Sequence, residues 1–135
     1  GFAVDTSVAV AALDAAHAAH HECRSVVQQR RPALAGHAAF ETFSVLTRMP
    51  GQLAVSAPDA RNLMMRVFPR TVWPMHDDAS ALLDRLGAVG VTGGAVYDAL
   101  VGWAAHRNST VLLTRDHRAR RTYDLLGVEH EFVGP

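Results

Sequence analysis

Short apolar runs that end in an acid alternate along the chain with longer stretches in which apolar residues recur every three or four positions. That is the pattern of strands feeding helices. Phe-Ala-Val at residues 2–4 is too short for a helix and predicts a buried strand with Asp5 at its carboxyl tip. Thr6 and Ser7 then cap a helical run through Leu13. Residues 15–29 read as a second helix with Ala16, Ala19, Cys23, Val26 and Val27 turned inward, ended by Arg30-Arg31-Pro32. Residues 33–35 form a short strand that turns at Gly36, and residues 37–48 a helix with Phe40, Phe43 and Leu46 at three-residue spacing, stopped by Pro50-Gly51. Pro58 opens a helix over residues 59–68, which Pro69 ends. Residues 71–73 are a strand with Trp73 in the core, residues 77–86 a helix, and residues 87–94, with their four glycines, a loop. A strongly apolar helix over residues 95–106 leads to the clearest buried strand, residues 110–114. A short helix over residues 118–126, capped by Gly127, and a strand over residues 129–133 complete the chain. Such alternation predicts an α/β fold whose mostly parallel sheet is covered on both faces.

The 135 residues suit one domain over residues 1–135, with no repeat or linker to divide it. Charge is balanced, 13 basic against 13 acidic side chains, so any grip on a polyanion must be local. Every basic residue is arginine, which removes P-loop and Schiff-base lysine chemistry. A single cysteine, Cys23, forms neither an intrachain disulfide nor a cysteine zinc site and suits a reducing, cytoplasmic setting. No signal pattern or membrane-length apolar run is expected.

Most acids stand where solvated acids belong: Asp14, Asp59, Asp77, Asp78, Asp84, Asp124, Glu129 and Glu131 fall in turns, first helical turns or polar faces. Asp5, Glu41, Asp98 and Asp116 do not. Asp5 and Asp116 follow apolar strands, and in an open parallel sheet ligands bind beyond the strands' carboxyl ends. Glu41 and Asp98 interrupt the first turns of apolar helices. Carboxylates among apolar neighbours must be paired, protonated or bound to a cation. Taken singly, each suits helix capping or an arginine partner such as Arg115 or Arg48. Gathered in one crevice without lysine, they would repel one another unless a divalent cation intervened. All-oxygen donors suit Mg²⁺ or Mn²⁺ rather than zinc, and such ions serve phosphoryl transfer.

Four segments carry these acids in order: Ala3-Val4-Asp5-Thr6-Ser7-Val8, Ala39-Phe40-Glu41-Thr42-Phe43-Ser44-Val45-Leu46-Thr47-Arg48, Val96-Tyr97-Asp98-Ala99-Leu100-Val101, and Leu112-Leu113-Thr114-Arg115-Asp116-His117-Arg118-Ala119. Together they resemble the PIN-domain ribonucleases, most closely the VapC toxins of bacterial type II toxin–antitoxin pairs. The resemblance implies a three-layer α/β/α sandwich with a mostly parallel central sheet. It implies that Asp5, Glu41, Asp98 and Asp116 are catalytic and hold one or two Mg²⁺ or Mn²⁺ ions, with Thr6 and Thr114 behind them orienting the carboxylates. It further implies in-line hydrolysis of an RNA phosphodiester in tRNA or rRNA, a homodimer, and inhibition by a small VapB-type antitoxin.

Arg115 and Arg118 are the candidate RNA contacts, because guanidinium forks suit phosphate oxygens. Against that stands a solvated helix face with an arginine paired to Asp116. His17, His20 and His21 have metal-ligand spacing but lack a completing acid or cysteine, and a solvated or antitoxin-facing helix is expected. His76-Asp77-Asp78 reads as a helix start, Cys23 as core filler, and Met64-Met65 with Val67-Phe68 as a weak interface candidate. Two other functions compete with the nuclease: a non-catalytic, metal-stabilised binding domain, and a different Mg²⁺-dependent phosphoesterase of the haloacid-dehalogenase type. The second wants an aspartate at position 7, where this chain has serine.

Overall fold

The computed structural model describes residues 1–51 and 54–134. Its strands are β1 (Phe2–Val4), β2 (Ala33–Ala35), β3 (Thr71–Val72), β4 (Val111–Thr114) and β5 (His130–Phe132). The helices are α1 (Thr6–Leu13), α2 (His20–Arg30), α3 (Ala38–Thr47), α4 (Ala57–Val67), α5 (Asp78–Val89), α6 (Ala95–Arg107) and α7 (His117–Leu125). The strands form one sheet in the order β3-β2-β1-β4-β5, and every pairing is parallel. From β1 the chain winds outward to β2 and β3, then returns to the other flank with β4. The order therefore reverses between β1 and β4, where an open α/β sheet leaves a crevice at its carboxyl edge.

Successive strand side chains point to opposite faces, and the core divides accordingly. Val4, Leu34 and Leu113 join α1, α2, α3 and α4 residues such as Val8, Cys23, Leu46 and Met64 in one cluster. Ala3, Ala35 and Leu112 join α5, α6 and α7 residues such as Leu82, Ala99 and Tyr123 in the other. Full burial of a leucine such as Leu112 or Leu113 is worth about 2–3 kcal/mol. Two glycines permit close approaches. A Cβ on Gly36, which turns at φ +50° from β2 into α3, would stand 2.9 Å from Ala104 Cβ. A Cβ on Gly102 would stand 2.9 Å from Cδ1 of Tyr123.

Several local expectations give way to tertiary structure. Asp5, rather than Thr6 or Ser7, is the N-cap of α1. Helix α2 begins only at His20; residues 15–18, including Ala16, are exposed in turns. His17 Nδ1 accepts from the Ala19 amide, while His20 Nδ1 meets the carbonyl of Ala11, so both rings serve that turn. Edge strand β3 stops at Val72 and leaves Trp73 47% exposed instead of in the core. Helix α5 continues through Gly87 to Val89 before Gly90 ends it in a left-handed conformation, which shortens the expected loop. Met64 and Phe68 are buried in the core, so of that interface candidate only Met65 is well exposed. Among the described residues no helix is long and apolar enough to cross a membrane.

Candidate active site

All four singled-out acids stand at helix N-termini along the carboxyl edge of the sheet. Asp5 caps α1 immediately after β1, and Asp116 caps α7 just beyond β4, on the two sides of the crevice. Glu41 and Asp98 lie in the first turns of α3 and α6. The positive ends of four helices thus face the carboxylates, a favourable placement for each.

Asp5 is 4% exposed and heavily hydrogen-bonded. Its Oδ1 accepts from the Ser7 hydroxyl and from the Val8 amide at 3.3 Å, and its Oδ2 accepts from the Tyr123 hydroxyl at 2.9 Å. Burial raises its pKa, and these donors, with the nearby Thr114 hydroxyl, offset the rise only in part. Ser7 Oγ also accepts from the Arg115 amide at 2.8 Å, which ties the tip of β1 to the β4–α7 turn. Asp116 Oδ1 accepts from the Arg118 and Ala119 amides, and the Asp116 amide donates to Thr114 Oγ1 at 3.0 Å.

Glu41 is raised by burial and by Asp5, against the opposing influence of His37 and Thr6. His37 Nε2 lies 3.7 Å from Glu41 Oε1, and its ring stacks on Tyr97. The Thr6 hydroxyl is buried without a hydrogen-bond partner, yet close enough to Glu41 to favour its ionised form. The Asp98 carboxyl is pushed up to about 6 by burial first and then by repulsion from Asp116, Glu41 and Asp5. Only the positive charge of Arg118 opposes that rise. Asp98 therefore senses the other three acids across a single crevice.

Their donor chemistry fits a hard divalent cation: carboxylate oxygens in excess, an unpartnered buried hydroxyl beside Glu41, and one exposed arginine as local counter-charge. As the side chains lie, no three His, Cys, Asp or Glu residues among those described are close enough to hold one ion. Mutual repulsion favours that spacing, and Asp5 and Asp116 spend acceptor capacity on the helices they cap.

The two arginines part company. Arg118 is exposed beside the acids, whereas the Arg115 guanidinium turns to the C-terminal strand, donating to the Val133 carbonyl at 2.6 Å and lying over Phe132. His117 stacks on the same ring, 4.2 Å between centroids, rather than serving Asp116. Sequence reasoning passed over Tyr123 and His37. His37 carried a faint signal, its spacing of four from Glu41 on one helix face; Tyr123 carried none, lying 118 residues from Asp5.

Residues 2–125 match the PIN domain family. Ribonuclease VapC27 of Mycobacterium tuberculosis is 43% identical over 126 residues, covering 93% of this chain and 92% of that protein. Ribonuclease VapC40 of the same species is 43% identical over 133 residues, covering 97% and 98%. With its acids at the switch point of a wholly parallel sheet, the chain belongs to the PIN-domain family, in its VapC ribonuclease branch.

Proposed function

We propose that residues 1–135 form a single PIN unit that hydrolyses RNA phosphodiester bonds as a divalent-metal-dependent endoribonuclease, the toxin half of a VapBC-type pair. The observation that carries this reading is the Asp98 carboxyl, raised to about 6 by burial and then by the charges of Asp116, Glu41 and Asp5. A structural set of acids would be matched with cations. This one is left in excess beside the sheet's ligand-binding edge.

Asp5, Glu41, Asp98 and Asp116 are the residues that would hold Mg²⁺ or Mn²⁺. When bound, the cation supplies Lewis-acid charge that neutralises the crowded carboxylates and the oxygens of the scissile phosphate. Asp5 is held rigid by its three donors, so it offers a fixed oxygen rather than a mobile one. Thr114 braces the Asp116 amide and Thr6 faces Glu41, each orienting a carboxylate. Arg118 is placed to grip a phosphate oxygen of the RNA backbone and so to set the strand's register against the acids. Arg115, engaged by Val133, instead fixes the β4–α7 turn.

We take the RNA to be a tRNA or rRNA and a VapB-type antitoxin to be the inhibitory partner; similarity to VapC ribonucleases supports an RNA substrate and an antitoxin. We assign the second copy of a homodimer to the exposed apolar face beside the acids, where Phe40 (62% exposed) and Trp73 approach to 5.6 Å between ring centroids and Met75 is 63% exposed. Phe40→Glu should turn the dimer into a monomer in sedimentation; a monomeric wild-type chain would remove the assignment.

The nuclease reading is tested by incubating total RNA with the purified chain, with Mg²⁺ or Mn²⁺ and with excess EDTA, beside Asp98→Asn. Discrete fragments that need metal and vanish in the variant are expected. Equal cleavage by the variant would show that these acids are not the site.

A further inference from the structure

Two of the three hydrogen-bond donors to Asp5 are local, from Ser7 and Val8; the third, the Tyr123 hydroxyl, comes from the far end of the chain. Tyr123 is 1% exposed and lies on α7 seven residues past Asp116, about two turns along the same helix face. Across from it, Gly102 lies four residues past Asp98, again on one face of its helix. A Cβ on Gly102 would stand 2.9 Å from Cδ1 and 3.3 Å from Cε1 of Tyr123, so the bare glycine is what admits the ring. One side chain therefore touches Asp5 directly and packs against the helix that carries Asp98, while belonging to the helix that Asp116 begins.

A carboxylate has about four acceptor directions. Ser7 and Val8 take those of Oδ1, and Tyr123 takes one of Oδ2, which leaves Oδ2 as the Asp5 oxygen with capacity for another partner. We propose that Tyr123 is a positioning residue of the carboxylate centre: its hydroxyl fixes the Asp5 carboxylate so that Oδ2 faces the cation, and its ring, seated on Gly102, holds the Asp98 and Asp116 helices in register with it. Burial and the neighbouring Asp5 push the Tyr123 phenol above its usual range. This role rests on the metal-dependent reading above.

The test is calorimetric titration of the purified full chain with Mn²⁺, without RNA, for the wild type, Tyr123→Phe and Val128→Ala. Val128 lines the same space, its Cγ2 3.2 Å from where a Gly102 Cβ would stand, and makes no contact with Asp5 through a polar atom. Tyr123→Phe keeps the ring and removes only the hydroxyl; loss of such an outer partner is expected to weaken Mn²⁺ binding about 10-fold. In cleavage assays the same variant should need more Mn²⁺ for half-maximal rate, with a smaller change in the rate at saturation. Val128→Ala should melt at lower temperature yet bind Mn²⁺ as the wild type does. Wild-type affinity in Tyr123→Phe, or equal weakening in Val128→Ala, would overturn the positioning role and leave Tyr123 as packing alone. A wild-type chain that binds no Mn²⁺ would overturn the carboxylate centre itself, and this role with it.

Discussion

Helix α6 meets a carboxylate at each end, and the two ends are built on opposite principles. At its C-terminal end Arg107 Nε lies 3.1 Å from Asp78 Oδ1, while Asp78 Oδ2 accepts from the Met75 amide at 2.8 Å. Asp78 is 7% exposed, but every part of its charge is answered, and the arginine also suits the negative end of its helix. At the N-terminal end Asp98 faces three further acids with only Arg118 against them, and its pKa climbs to about 6. Burial alone therefore does not set Asp98 apart from Asp78; lack of a matching counter-charge does.

Breaking each end separately should give opposite results. Asp98→Asn removes a charge that is repelled where it stands, so cleavage should fall at least about 100-fold while the metal-free chain melts at higher temperature. A gel assay and a melting curve on the same preparation check both halves; lower stability in the variant would mean that Asp98 is compensated after all. Adding Mn²⁺ supplies the missing counter-charge without mutation. At 100 times its dissociation constant it should stabilise the chain by about 2.7 kcal/mol, and EDTA should reverse the shift. At the other end, Asp78→Ala strands Arg107, whose side chain is 47% exposed and so recovers part of its hydration. A loss of about 2 kcal/mol is expected, read by denaturant titration, with Mn²⁺ affinity unchanged.

This contrast also explains what could be read before the fold was known. Asp5 and Asp116 were legible as candidates because each follows a short apolar strand, and Glu41 and Asp98 because each interrupts the first turns of an apolar helix. Asp78 resembled them in fact but not in sequence: it follows His76-Asp77 at a helix start, and its partner Arg107 lies on the next helix. Strands β1, β2 and β4 were legible as short apolar runs. Trp73 misled because β3 is an edge strand of two residues, and the aromatic just past it lies half-exposed beside Phe40 at the surface. Gly87 misled because local propensity favours a break, whereas Leu82 and Leu86 anchor α5 in the core and carry the helix past it. The Tyr123 contact was invisible because nothing local links position 5 to position 123.

The comparison is sharpened by pH. A carboxyl whose folded pKa lies above its unfolded value binds its proton more tightly in the folded state, so its contribution is fully present below pH 3.8 and is lost as pH rises through about 6. The metal-free wild type should accordingly lose stability relative to Asp98→Asn as pH rises from 3.8 to about 6, and level off above that. The gap should reach about 1–2 kcal/mol after allowance for solvent screening of a partly exposed group. Melting both proteins across that window checks the sign, and parallel curves would contradict it.

The smallest effect concerns Arg118, the cation among the described residues that opposes the rise of Asp98. If it grips one phosphate, Arg118→Ala should raise KM for RNA several-fold, leave kcat at saturating RNA nearly unchanged, and do so alike across RNA sequences. The slope of log affinity against log salt should flatten by about 0.7, the value for one phosphate contact on a single strand. A fall in kcat with the salt slope intact would give Arg118 the other role its position allows, that of tempering the repulsion on Asp98. Arg118 would then do for the acids electrostatically what Arg107 does for Asp78 by direct pairing, and the two ends of α6 would differ in degree rather than in kind.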